Sequence, residues 1–492
     1  MLGCKQIRQN KLFYTSFNLD QRIREDNPLR QIRNIVDFSF IRQQVCELYG
    51  STGKPSIDPI VLMKLMLILF LEQIPSEREL MRRLPERLDW LWFCEYDLDS
   101  QLPHHSVLSK ARRRWGLGVF RALFQVILSQ CVKAGLVDGR VVHVDSSLIN
   151  ANASLDSLKP HFAVIADNFY QGLEQSCDIA DEPEQNQPKP IKASSTDPDA
   201  RCRIKGSQKV LGYQEHRCVD DTNGIITATM TTDAAVHEGE MLSDITDEHE
   251  SNMESTPCCT VGDKAYGRAD NYKMLRERDI AACIPHAKAH SPTQKDYFHR
   301  NQFKYDPQRD CCICPAGKIL KRQTIKPTER NQHKYQASRK DCKVCPLKSK
   351  CTPSKYGKRF YRHADQDVID WADNCLSPRR RKYLMARRRS VMEGSFADAV
   401  NNHGYKRSRW RRLWRVTIQN LLIAALQNLR KLLSAIKAKP KRANSIDLIS
   451  VCLEIAKDLF ALVAVSTGIF QIICNLSSNL ISDELKIEKS SC

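Results

Sequence analysis

The chain opens on MLGCKQIRQNKLF, which has no apolar run. A secretory leader needs a continuous apolar region of about 7–15 residues, so none is expected, and a cytoplasmic, reducing setting follows. In that setting the twenty cysteines are expected as free thiols or metal ligands, not disulfides. No segment repeats itself along the chain, which excludes solenoid and propeller architectures. Charge is missing from Leu459 to Ser482 (LFALVAVSTGIFQIICNLSSNLIS), and about 18 apolar residues are enough to span a bilayer. Ser466, Thr467, Gly468, Gln471 and Asn475 interrupt that run and weaken insertion, so a buried or partner-packing helix is expected there and no membrane. Acids are nearly absent from Ser377 to Arg442, where Glu393 and Asp398 stand against nineteen Lys or Arg.

The remaining composition is that of a folded protein: 492 residues, 42% hydrophobic and 27% charged, enough for two or more domains. The net charge is +19, which calls for a polyanionic partner, nucleic acid ahead of an acidic membrane surface. No small-molecule substrate is indicated. Most of the excess lies in the acid-poor segment, where Lys406, Arg407, Arg409, Arg411 and Arg412 are interleaved with Tyr405, Trp410 and Trp414. Cationic side chains there can neutralise phosphates while aromatics stack on bases.

Residues 20–135 are expected to be helical. PSIDPIVLMKLMLILFLEQIP gives a strongly apolar helix, and Ser76 with Glu79 forms a capping box opening the next one. LPHHSVLSKARRRWG gives a helix capped at Ser106 and carrying Arg112, Arg113 and Arg114. Short helices ending in a basic one suit a helix-turn-helix-like DNA-binding module. Near Arg140 the period changes. VVHVD is a β run, residues 172–210 form a polar loop, and LGYQEHRCVDDTNGIITATMTTD is a hairpin turning at Asp221-Thr-Asn-Gly224. CCTVGDKAYG, NYKMLRERD and IAACIPH then give a strand, a helix and a strand. This order describes a mixed α/β sheet and not a βαβ repeat.

Two of these β runs end alike. VVHVDSS places Asp145, and CCTVGDKAYG places Asp263, at a strand tip before small or turn residues. On neighbouring strands the carboxylates would meet at one edge, a hard-oxygen site for Mg²⁺ or Mn²⁺. The isolated acid in ARRRSVMEGSF, Glu393, is the third member of the set. Asp398, five residues on, would point to another helix face. His143 and His237 are read as structural.

HVDSS, VGDKAYG and RRRSVMEGSF, in this order, resemble the DDE transposases of bacterial insertion sequences. The resemblance covers roughly residues 20–435. It implies an RNase H-like catalytic core with Asp145, Asp263 and Glu393 as catalytic residues and ligands of two divalent metals. It also implies double-stranded DNA as partner, both element ends and target, a nucleoid-associated location and a homo-oligomer holding two ends together. In one branch of that family an Arg lies four residues before the Glu, which Arg389 matches. That branch also has a Tyr three residues before the Arg and a Lys seven after the Glu, where this chain has Ala386 and Val400. A catalytically inactive or domesticated DNA-binding derivative is the alternative.

CCICPAGK and DCKVCPLKSKC lie between Asp263 and Glu393. The spacing of Cys342, Cys345 and Cys351, with Cys314 upstream, suits a structural Zn²⁺. Cys311 and Cys312 are substitutes for Cys314 or spectators. A segment this polar is expected to have little apolar core without the metal. The expected architecture is thus an all-α DNA-binding domain (20–135), then an RNase H-like α/β core (138–300) broken by a zinc knuckle-like, Cys-rich insertion (301–362). The basic helical part of the core (375–435) carries Glu393, and a tail of unassigned role (443–492) follows.

Overall fold

The computed structural model describes residues 18–50, 56–160, 192–286, 297–298, 302–323 and 331–438. The start of the chain, part of the polar loop, the uncharged run from Leu459 and the tail lie outside the described residues. The chain divides into two units, 1–432 and 433–492, and apart from the last turns of the final helix everything below concerns the first.

A turn of helix, Leu19–Arg22, leads into α1 (Pro28–Ile35), α2 (Ser39–Val45), α3 (Pro59–Leu71), α4 (Glu77–Arg83), α5 (Leu88–Phe93), α6 (Ser106–Trp115) and α7 (Gly118–Lys133). Asp58 caps α3 by accepting from the Ile60 N–H at 3.0 Å, and Pro59 occupies its first turn. Every residue from Leu62 to Phe70 is buried, so α3 is apolar all round because it is the centre of the helical bundle. Its one charge, Lys64, reaches the half-exposed Glu95 at 2.7 Å. Ser76 caps α4 as expected, accepting from the Glu79 N–H at 3.2 Å. Glu79 does not reach back; its carboxylate binds Arg82 and Arg83 instead. α6 begins at Ser106, but the cap position is His105 and the Ser106 hydroxyl bonds His104 Nδ1 at 2.9 Å. Among the described residues no single helix is long and apolar enough to cross a membrane; α6 with α7 approaches that length only across an 86° bend.

The sheet comprises β1 (Val141–Asn150), β2 (Arg201–Lys205), β3 (Gln208–Asp220), β4 (Ile226–Asp233), β5 (Cys259–Val261) and β6 (Ala281–Cys283), with α8 (Leu242–Met253) before β5 and α9 (Ala269–Glu277) after it. Strand order is β2-β3-β1-β5-β6, with β4 also on β3. β3 runs antiparallel to β1 and β4, while β5 is parallel to β1 and β6 to β5. Part of the 172–210 stretch expected as loop is therefore strand: β2, the start of β3, and Lys192–Ser194, which pairs with Leu158–Pro160 ahead of that stretch. Alternation along β1 sends Val142 and Val144 into a core with Leu242, Ile245, Tyr272 and Leu275 of α8 and α9. His143, Asp145 and Ser147 take the other face.

A second, five-stranded antiparallel sheet follows: β7 (Lys304–Asp306), β8 (Cys311–Ile313), β9 (Ile319–Arg322), β10 (Gln332–Ala337) and β11 (Arg359–His363). Contrary to expectation, this segment has its own apolar core, with Phe303, Cys312, Leu320, Tyr335 and Ala337 buried and Phe360 stacked on Phe303 at 5.2 Å. The chain then returns through α10 (Gln366–Asn374) and the long α11 (Pro378–His403) and α12 (Leu413–Ala438). Gly404 ends α11 in the left-handed region (φ 61°), which a Cβ would disfavour.

Candidate active site

Asp145 is not at a strand tip. It is the fifth of ten residues in β1 and pairs across the antiparallel ladder with Arg217 of β3. The parallel edge of β1 is different. β5 pairs with β1 only from Val141↔Cys259 to His143↔Val261, so β1 outruns its parallel neighbour there. Asp145 lies two residues past His143, and Asp263 lies two residues past Val261. Both acids therefore lie beyond the last pair of the parallel ladder, at the end where β5 turns away, near enough for the charge of Asp263 to act on Asp145. Asp263 opens that turn, accepting from the Ala265 N–H at 2.9 Å.

Burial pushes the Asp145 carboxyl up to about 6, and the charges of Asp263 and Glu238 push it the same way. Against this work the Arg388 guanidinium, 2.7 Å from Asp145 Oδ2, and the Ser146 N–H, donating to Oδ1 at 2.8 Å. The phenol of buried Tyr266 is raised by burial and by the same three carboxylates, Asp145, Glu238 and Asp263. Glu238 is an acid that sequence reasoning passed over. Its turn, Glu238–Glu240, follows β4, and its carboxylate accepts from the Ser146 hydroxyl.

Glu393 lies on α11, which packs on β1, β5 and β6. The helix turns Leu384, Arg388, Met392, Ser395, Ala399 and His403 inward, at spacings of three and four. Arg388 therefore meets Asp145, whereas Glu393, one residue past Met392, is exposed. Among the described residues no hydrogen bond or ion pair joins Glu393 to either Asp, and no three His, Cys, Asp or Glu side chains are grouped to hold a metal. Asp398 serves the structure, accepting from Gln427 at 2.8 Å and pairing with Arg430 at 2.7 Å. Below the helix, wholly buried Arg217 pairs with buried Glu215 at 2.9 Å and donates to Ser395 Oγ at 3.1 Å and Gln427 Oε1 at 2.9 Å. These bonds fix α11 and α12 to β3. His143 is buried and bonds Asp221 at 2.8 Å, and His237 accepts from the Gly239 N–H at 3.1 Å.

The basic candidates divide by burial. Arg113, Arg114, Arg389, Lys406, Arg407, Arg411 and Arg412 are exposed. Arg112 is not: it is buried over the Trp410 ring, 3.8 Å from the centroid, and paired with Glu77. Arg409 likewise lies over Phe70 at 4.3 Å and donates to the Leu69 carbonyl at 2.6 Å. Both join the helical bundle to the basic segment and are withdrawn as phosphate contacts. Trp410 meets Phe70 edge-on at 5.5 Å and Tyr405 is wholly buried, so neither is presented to a base. The loop after α11 lies along the end of β1: Asn150 N–H donates to the Lys406 carbonyl at 3.0 Å, and the Ser408 N–H to Asn150 at 2.8 Å.

In the second sheet, Cys314, Cys342, Cys345 and Cys351 line one cleft, with Lys348 and Lys358 at its rim. Burial raises the Cys351 thiol, and the other three cysteines act on it in the same direction. Cys311 and Cys312 are buried on β8 and do not line this cleft. No disulfide forms among the described cysteines.

Comparison with known proteins gives two family matches. A transposase domain family (DUF772) matches residues 17–114, and a transposase DDE domain family matches residues 313–433. The first covers much of the helical bundle; the second covers most of the cysteine-bearing sheet together with α11 and α12. Asp145 and Asp263 lie between the two. No curated protein sequence matches the chain. Among solved structures, a piggyBac transposase synaptic complex with hairpin DNA is 9% identical with a TM-score of 0.35, covering 82% of this chain and 73% of that one. A Mos1 transposase paired-end complex with its left transposon end is 10% identical with a TM-score of 0.16, covering 49% and 62%. A Mos1 strand transfer complex is 12% identical with a TM-score of 0.15, covering 49% and 61%. Both family matches are thus to transposase domains, one of them the DDE domain, and the chain carries these two domains at residues 17–114 and 313–433.

Proposed function

We propose that this transposase cleaves and joins DNA strands at the open end of β1 and β5, using Asp145, Asp263 and Glu393. The carrying observation is that Asp145 and Asp263 each lie two residues past the last parallel pair and that the charge of Asp263 acts on Asp145. The strand order, with β3 antiparallel and β5 parallel to β1, supports an RNase H-like reading of the core. For Glu393 the support is its position on a helix packed against these strands and within the DDE-domain match.

Asp145 and Asp263 fit a hard divalent cation such as Mg²⁺ or Mn²⁺. Both offer carboxylate oxygens, and the burial that pushes Asp145 up, with the charges of Asp263 and Glu238 acting the same way, is a cost to its ionised form that a cation would relieve. Glu393 would complete the set, although it does not reach the pair in the arrangement described. Bound there, such metals supply water activation and stabilisation of the leaving 3′ oxygen. The chain's own contribution is to hold the two carboxylates on a rigid sheet, to balance Asp145 with Arg388, and to grip the DNA backbone. Exposed Lys406, Arg407, Arg411 and Arg412 beside the end of β1, Arg389 on α11, and Arg113 and Arg114 on the helical bundle suit phosphate contacts. Two copies of the chain would hold two element ends. The four thiols lining one cleft are the donor type and number of a structural Zn²⁺, which would have to draw them together, since they are not grouped as ligands in the arrangement described.

The test is cleavage of the element's own ends, taken from flanking genomic DNA, by wild type and Asp263→Ala in Mg²⁺. Cutting by the wild type alone supports the site. If both bind the ends and neither cuts, the catalytic reading fails for this chain and the DNA-binding derivative replaces it.

A further inference from the structure

The turn that carries Glu238 is built into the turn that carries Asp263. A Cβ on Gly239 would lie 2.3 Å from the Ala265 carbonyl oxygen, so only glycine allows the two turns to approach this closely. Asn271, buried between them, donates from Nδ2 to the Gly239 carbonyl at 2.7 Å and to the Tyr266 carbonyl at 2.9 Å. Arg268 pairs with Glu240 at 2.9 Å across the same seam. From this doubled turn the Glu238 side chain extends to β1. Its Oε2 accepts from the Ser146 hydroxyl and from Gln214 Nε2 at 3.3 Å, and its Oε1 is 3.5 Å from Arg203. Ser146 in turn donates its backbone N–H to Asp145 Oδ1 at 2.8 Å.

We propose that Glu238 is a positioning residue of the cleavage site. It ties Ser146, and through Ser146 the Asp145 carboxylate, to the turn that presents Asp263, and so sets the spacing of the two acids. This rests on the proposed metal role of Asp145 and Asp263. β1 and β5 stop pairing at His143 and Val261, so the sheet ladder does not hold the two acids together beyond that point. The Glu238 link spans the gap from the side of the sheet opposite Arg388.

The test is Mn²⁺ binding to the full-length chain without DNA, followed by calorimetry and by the Mn²⁺ paramagnetic resonance signal. Wild type, Asp263→Asn, Glu238→Ala, Glu238→Gln and Ser146→Ala are compared, with thermal melting of each. Partners that orient ligands are typically worth about 10–100-fold in metal affinity, so Glu238→Ala is expected to weaken Mn²⁺ at least about tenfold. Glu238→Gln keeps an acceptor for Ser146 and is expected to stay within about threefold, the scale of one retained hydrogen bond. Ser146→Ala cuts the same link from its other end and is expected to match Glu238→Ala, with the double variant no weaker than either. It carries the test if Glu238→Ala does not fold. Unchanged affinity in Glu238→Ala or Ser146→Ala, or a Glu238→Gln loss as large as that of Glu238→Ala, overturns the positioning role. Failure of the wild type to bind Mn²⁺, or binding that survives in Asp263→Asn, overturns the metal reading and this inference with it.

Discussion

Arg112 offers the sharpest perturbation, because sequence and structure assign it opposite roles. The RRR run suggests phosphate contact, yet its side chain is 3% exposed, paired with a Glu77 that is 14% exposed, and lies over Trp410. Replacing it with Ala leaves the Glu77 carboxylate buried and unpaired, which costs about 3–5 kcal/mol. Losing the guanidinium over an indole in a dry setting adds up to about 2 kcal/mol. The expected total is on the order of 3–7 kcal/mol, a large part of a domain's stability. The double variant Arg112→Met with Glu77→Leu removes both charges while keeping apolar volume, and should recover most of the loss. Urea unfolding measures these values. Binding to DNA across a salt series supplies the second reading. Arg113→Ala should flatten the dependence of log K on log salt by about one contact, and the Arg112 double variant should leave it unchanged. An Arg112→Ala protein that unfolds like wild type while losing salt dependence would refute the structural role.

Three further outcomes follow from other parts of the chain. His216, His249 and His403 are buried, and burial lowers each to about 4. The unfolded chain binds protons first between about pH 6.5 and 4, so stability falls as pH drops through that window, by up to about 3 kcal/mol for each; a urea midpoint identical at pH 7 and pH 5 would contradict this. If the four-thiol cleft holds zinc, the purified chain should release about one equivalent to a chromogenic chelator on thiol modification, and Cys345→Ser should release far less. Gly239→Ala should destabilise the chain by roughly 1–3 kcal/mol, because the Ala265 carbonyl it would meet is backbone and cannot swing aside; calorimetric melting checks this.

Much of the site was legible in local pattern. Asp145 and Asp263 stood out because an apolar β run meets a carboxylate in both, and each lies two residues past the last parallel pair of β1 and β5. Arg388 was legible in principle, since the stripe from Leu384 to His403 passes through it, yet within Arg387-Arg-Arg389 composition cannot tell the inward Arg from its neighbours. Only helix phase does. Glu238 had no such signal: it is one acid in a polar turn, and it matters because Gly239 lets that turn dock on Ala265.

The sequence by itself determined the element types, the basic surplus and the two aspartates, because periodicity, capping and charge act over a few residues. Tertiary structure alone decided which charges face inward. It buried Arg112 and laid Arg409 over Phe70 at the joint between bundle and basic segment, gave the cysteine segment its own apolar core, left Glu393 exposed, and brought Glu238 to Ser146 beside Asp145. Those outcomes depend on contacts between residues tens to hundreds of positions apart, and no local pattern encodes which distant surface a side chain will meet.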